Sequence, residues 1–287
     1  MGEGYFAIPD MGGSGTLRPF EMAGLMTLNA HPRPHAFEFR SVAFQFRPGA
    51  NSQSAIVFEL PGAALAATPQ PALKKHRLHA SLFAVVKDPN GEIVDRFGQD
   101  FLYQVPDDQL AGIQATPIDY KHAFNLPAGH YNVESVLLDR EANRASTSTV
   151  EFDSPSAKGV GLSSVMLVAR ADPLTGEPDA DDPLQFQGRE LVPMLSGSLK
   201  ASSQPLLYFV VYPDKSIQET PRIRVESFVN GEVLAQKQDE LPPPDSSGAI
   251  PVVVNAVTKP GNCEIKITAS QGFHTTTRSV TYTVAAQ

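Results

Sequence analysis

The chain of 287 residues has one cysteine, Cys263, and no tryptophan. A single thiol forbids an intrachain disulfide, and its alternating position beside Ile265 and Ile267 reads as a small buried core residue rather than a nucleophile. The absence of Trp weakens a sugar-binding reading, which would want exposed aromatic platforms, a role that is left to Tyr. No apolar run approaches the roughly 20 residues of a membrane span, and the start Met1-Gly-Glu-Gly-Tyr-Phe-Ala7 lacks the basic opening and apolar centre of a signal peptide. The formal charge of -8 comes without a basic cluster, which argues against a nucleic-acid footprint or an anionic-membrane patch. Gly-x-Ser-x-Gly, His-Glu-x-x-His, Walker and Cys-x-x-Cys patterns are all missing, and no Ser, His and Asp grouping stands out. No catalytic residue, no cofactor and no enzymatic activity is therefore expected.

What is present is punctuation: 25 Pro and 21 Gly spread among short alternating runs, with enough apolar residues to exclude a mainly disordered chain. This is an all-β profile, and the length suits two domains. Residues 1–35 read as a lead-in carrying a short helix over Pro19 to Asn29, with Phe20, Ala23, Met26 and Leu28 as its apolar contacts. Met11-Gly-Gly-Ser-Gly15 has no Lys-Ser or Lys-Thr after it and reads as a loop, not a phosphate cradle.

From Phe37 the period becomes two. Phe37 and Phe39 take one parity and Val42, Phe44 and Phe46 the other, which predicts a bulge or break near Arg40. Strands follow at Ile56 to Leu60 and Leu78 to Val86; the second also carries Phe83 and Val85 on its minor face, which should meet a neighbouring element. Asp88-Pro-Asn-Gly91 should turn the chain into Ile93 to Phe97, with a polar loop after it. Ile118 to Leu126 alternates cleanly. It leads into Asn125-Leu-Pro-Ala-Gly-His-Tyr-Asn-Val133, the pattern of a tyrosine corner in which Pro127 and Gly129 set the turn and Tyr131 packs in the core.

Asp153-Ser-Pro-Ser-Ala-Lys-Gly159 has linker composition, so the first sandwich is placed at 36–153, the linker at 154–161 and the second sandwich at 162–287. The second half repeats the order of the first. Asn230-Gly231 answers Asn90-Gly91, and Pro260-Gly261 with Cys263 answers Pro127 to Tyr131. The expected fold is two tandem immunoglobulin-like or fibronectin-III-like β-sandwiches.

Metal chemistry has one candidate, the acidic loop with Asp172, Glu177, Asp179, Asp181 and Asp182, whose oxygens suit calcium but lack EF-hand spacing; a solvated loop is the default. His31 and His35 are set among prolines that break any helix, so their four-residue spacing reads as exposed linker.

Four stretches stand in order along the chain: Gly4-Tyr-Phe-Ala7, Ala84-Val-Val-Lys-Asp-Pro-Asn-Gly-Glu-Ile-Val-Asp-Arg-Phe97, Leu126-Pro-Ala-Gly-His-Tyr131 and Gly161-Leu-Ser-Ser-Val-Met-Leu167. Through them, most of residues 4–212 resembles the region downstream of the von Willebrand factor A domain in the VWFA-related proteins of Acidobacteria. The resemblance implies an extracytoplasmic, non-enzymatic protein, periplasmic, cell-surface or secreted, with Gly4 to Ala7 at the end of a preceding A-type domain and Met1 an internal or misplaced start. The Asp-x-Ser-x-Ser metal site of such a domain is absent, and Asp153-Ser-Pro-Ser156 does not supply it, so metal-dependent adhesion is not implied. The expected role is a binding or spacer module at the cell envelope, taking a protein partner at a sheet edge or groove. The competing reading is a polysaccharide-binding accessory domain or glycan-active enzyme, which would need two carboxylates converging on one cleft or a row of exposed tyrosines.

Overall fold

A computed structural model describes residues 16–156, 158–179, 182–200 and 204–286. The Met11 to Gly15 loop and Gly4 to Ala7 lie outside the described residues. In chain order the elements are α1 (Pro19–Leu28), β1 (Arg40–Gln45), β2 (Asn51–Leu60), β3 (Thr68–Gln70), β4 (Lys75–Lys87), β5 (Ile93–Pro106), α2 (Leu110–Ala115), β6 (Ile118–Pro127), β7 (Gly129–Asp139) and β8 (Arg144–Ser154). They continue as β9 (Gly161–Leu162), β10 (Met166–Pro173), β11 (Gln185–Phe186), β12 (Arg189–Pro193), β13 (Ser198–Leu199), β14 (Leu206–Tyr212), β15 (Arg222–Val229), β16 (Glu232–Glu240), β17 (Ile250–Asn255), β18 (Gly261–Gln271) and β19 (His274–Val284). The fold is all-β and sandwich-type, with α1 and α2 its only α-helices among the described residues.

The chain forms two compact units: Met1–Ala43 with Val57–His122 and Gly129–Asp153, and Phe44–Ile56 with Ala123–Ala128 and Ser154–Gln287. The second unit takes the chain from Ser154 onward together with two earlier stretches. The transfer of residues 44–56 and 123–128 to the second unit was not expected. Its cause is visible in hydrogen bonds inside that unit: Gln45 N–H donates to Ser164 Oγ at 2.9 Å, and Ser164 N–H donates back to Gln45 O at 2.7 Å. Ser52 Oγ likewise donates to Pro155 O at 2.5 Å.

In the first unit, β4 is the central strand. It pairs with β5 along its length and with β7 from Ala80 to Lys87. Its minor face is covered by α1: Phe83 and Val85 join Leu28, Val136 and Leu138 in one buried cluster. The expected polar loop after Phe97 is instead the outer half of β5, held in register from Gly98↔Phe83 to Pro106↔Lys75. Backbone pairing sustains this edge strand where the side chains lose their alternation.

The turn at Asp88 also differs from the expected form. Only Gly91 takes positive φ, at 85°, while Gly91 N–H donates to Asp88 O at 2.9 Å and Asp88 N–H to Glu92 O at 3.0 Å. That is a turn of ordinary hand followed by a left-handed glycine, and the register shift between Val86 and Lys87 absorbs the extra residue. The second-unit counterpart does have both residues left-handed, with φ 52° at Asn230 and 83° at Gly231.

In the second unit one sheet runs β11-β12-β10-β14-β17 with β9 on β14, and the other β13-β19-β18-β15-β16. Leu207, Phe209 and Val211 from the first meet Ile223, Cys263, Ile265 and Ile267 from the second in one core. The order β5-β4-β7-β8 of the first unit is repeated as β16-β15-β18-β19, so the hairpin and corner motifs occupy equivalent strands.

Candidate functional site

Strand β14 puts its odd residues into the core. Its even residues, Tyr208, Val210 and Tyr212, therefore emerge on the opposite face, where they floor a cleft of about 390 Å³ that lies wholly within the second unit. That volume is in the range of small-ligand sites, about 300–1,000 Å³. Ala249 and Pro251 extend the floor, since Val210 is in register with Pro251. The walls are polar. Asn51, Gln53 and Asn125 stand on the segments exchanged into this unit, Asp182 and Gln185 enter from the β10–β12 connection, and Asp245 and Ser247 from the turn before β17.

Arg47 crosses one side of the cleft. Its guanidinium lies 5.0 Å from the centre of the Tyr212 ring, and its Nη1 and Nη2 donate to Ser247 O and Oγ at 2.9 and 3.1 Å. Glycine at 161 makes the approach possible, because a Cβ there would lie 2.5 Å from Pro48 Cγ. Asp245 anchors its turn by accepting at Oδ1 from Ser247 N–H, Ser247 Oγ–H and Ala249 N–H at 2.9, 2.7 and 3.0 Å. Burial alone would raise its pKa, but these donors and Arg47 together hold it below the ordinary carboxylate value. Asp182 accepts from Leu184 N–H at 3.0 Å and Gln185 Nε2–H at 3.2 Å. Burial, with Asp245 nearby, pushes the Tyr208 phenol up to about 12, and burial raises Tyr212 further, so both hydroxyls stay protonated near neutral pH.

The acidic-loop candidates have separate side-chain surroundings, although Asp182 N–H donates to Asp179 O at 3.2 Å within one turn. Asp172 pairs with Arg170 at 2.8 Å, Glu177 is exposed, Asp179 N–H donates to Gln185 Oε1 at 2.9 Å, and Asp182 belongs to the cleft. Asp181 lies outside the described residues. Among the described residues no three His, Cys, Asp or Glu side chains gather as a metal site.

The corner residues sit where packing needs them. Pro127 ends β6, and Tyr131 is buried and stacks on Phe152 with ring centres 5.7 Å apart. A Cβ at Gly129 would come within 3.3 Å of the Tyr131 ring. In the second unit, a Cβ at Gly261 would meet Asn230 Oδ1 at 2.7 Å; that same oxygen accepts from Asn262 N–H at 2.9 Å, tying hairpin to corner. Cys263 is buried and lies opposite Tyr282, which the sequence reading missed and whose hydroxyl donates to Val257 O at 2.9 Å. The alternation of Val280, Tyr282 and Val284 was the available signal.

One Ser, Asp and His group does form. Ser81 Oγ donates to Asp100 Oδ1 at 2.5 Å, and His79 Nε2 lies 3.0 Å from the same oxygen. The carboxylate stands between the other two, and Ser81 is fully buried, so the imidazole has no hydroxyl to deprotonate. The cleft residues Arg47, Asn51 and Asn125 escaped the sequence reading because they lie on stretches assigned to the other sandwich. No protein-family model and no curated protein matches the chain.

Proposed function

We propose that the chain is a non-catalytic binding module that recognises its ligand through the side-chain cleft of the second unit. The carrying observation is how the cleft carboxylates are used. Hydrolysis by paired carboxylates needs both turned to the substrate, whereas Asp245 Oδ1 is taken up by the three donors of the turn it anchors and Asp182 accepts from Leu184 N–H and Gln185 Nε2–H. The cleft lining offers no His, Cys or Lys to activate Ser247, whose hydroxyl instead donates to Asp245.

Strand addition at the second unit's edges is less favoured than side-chain recognition. The outer strands β11 and β13 are two residues long, and β17 carries Pro251, which has no N–H to donate. On β16, Lys237 and Asp239 stand opposite Val225 and Ile223, on the core-facing side, which is the usual defence of an exposed edge. An extracytoplasmic setting, implied by the resemblance to VWFA-related proteins, belongs to the same proposal. No helix among the described residues is long and apolar enough to cross a membrane.

The test is a panel of chromogenic glycosides, esters and peptides incubated with the full chain and with the Asp182→Asn/Asp245→Asn variant. Wild type and variant should both stay at the buffer rate. Turnover by the wild type that the variant loses would overturn the reading.

A further inference from the structure

We infer that the cleft of the second unit takes a neutral saccharide. The inference rests on the reading of that cleft as a binding site, and four features of the lining carry it. The wall holds four planar amides, Asn51, Gln53, Asn125 and Gln185, and two carboxylates, Asp182 and Asp245, giving the mixture of donors and acceptors that ring hydroxyls, themselves both donors and acceptors, satisfy.

Charge selects against anions. Two carboxylates face one guanidinium, and that guanidinium is already bound to Ser247 and seated over Tyr212. An acidic sugar or phosphate would meet net negative charge with little free cation to answer it. The apolar part of the floor is small, Val210, Ala249 and Pro251, enough for the C–H face of a sugar ring within a wall that is otherwise polar.

Aromatic stacking is not the main device. The Tyr208 ring is held against Phe186, with centres 5.5 Å apart, and the Tyr212 ring lies beneath Arg47. Recognition falls to hydrogen bonds from side chains fixed by strands and turns. A peptide is a poorer fit because the cleft floor is a sheet face that presents side chains, and Pro251 interrupts the donor row of the neighbouring edge.

The experiment applies the full chain to arrays of neutral oligosaccharides, acidic oligosaccharides and peptides, followed by titration calorimetry of the best binder. It is repeated with Asn51→Ala/Asn125→Ala, two exposed positions whose change should leave the melting temperature unaltered. Neutral glycans should be retained, and the double variant should weaken their binding about tenfold or more, the loss of two side-chain hydrogen bonds. Retention of acidic glycans alone, or of peptides alone with the same loss in the variant, would overturn the saccharide assignment and leave the cleft as a binding site. Neutral-glycan binding that the variant leaves intact would overturn the placement in the cleft. Binding to none of the arrays would overturn both this inference and the reading beneath it.

Discussion

Tyr282 carries, in the second unit, the hydroxyl-to-backbone bond that the sequence assigns to a corner tyrosine. Cys263 occupies the corner position, and Tyr282 across the ladder reaches back to Val257 O. Replacing Tyr282 by Phe keeps the ring and removes the donor, leaving that carbonyl without it. The expected cost is about 1 kcal/mol of stability near neutral pH, measured by urea unfolding. The same side chain shapes the alkaline limb. Burial and the neighbouring Cys263 raise its pKa from 10 to about 12, so its contribution is intact below pH 10 and drains away as pH climbs towards 12. The Tyr282→Phe variant should therefore lose less stability over that interval than the wild type, and an identical alkaline loss would contradict the assignment. Burial of Cys263 was legible from strand parity alone. Its partner was not, since cross-strand register depends on pairing that no single strand encodes.

Helix α1 shows the same division at the level of an element. Its span was legible from Pro19 and the breakers after Asn29, and the need for a cover over Phe83 and Val85 could be read from β4. Of the contacts expected on its buried face, Phe20 and Leu28 are buried and Ala23 packs against the Phe83 cluster, and Met26 is the exception. Met26 is 69 % exposed, while Phe20, Gly24 and Leu28 recur at four-residue spacing on the sheet side. A glycine sends no hydrophobic signal, yet Gly24 is what allows the helix to close on Phe83, whose Cβ would stand 2.6 Å from an added methyl. Gly24→Ala sets two effects against each other. Helix propensity favours alanine by about 1 kcal/mol, and overpacking against a buried ring costs about 1–3 kcal/mol. Net destabilisation is expected in thermal melts. A rise in melting temperature would mean that the helix moves away from Phe83 at little cost. The Gln187-Gly188 hairpin was likewise overlooked, because glutamine seldom takes the left-handed φ of 51° that it has here.

Two all-β units with repeated hairpin-to-corner order were legible because alternation and turn residues are local properties. Which stretches each unit owns was not, since residues 44–56 and 123–128 alternate in the same way whichever core they serve. That ownership has a consequence for the chain as a whole. If the second unit needs these stretches, residues 154–287 are an incomplete domain despite starting at a linker-like sequence. A fragment cut there lacks the paired bonds between Gln45 and Ser164, the Ser52 bond to Pro155 and the Arg47 bonds to Ser247. At about 1 kcal/mol for each net hydrogen bond, the loss reaches several kcal/mol against a total stability of about 5–15 kcal/mol for an ordinary domain. Scanning calorimetry should find the fragment melting well below the corresponding transition of the full chain. It should also find the cleft ligand's stabilisation missing, since Arg47, Asn51, Gln53 and Asn125 are gone from the wall. A fragment that melts at the full-chain temperature would show that the exchanged stretches only rest on a core that is complete without them.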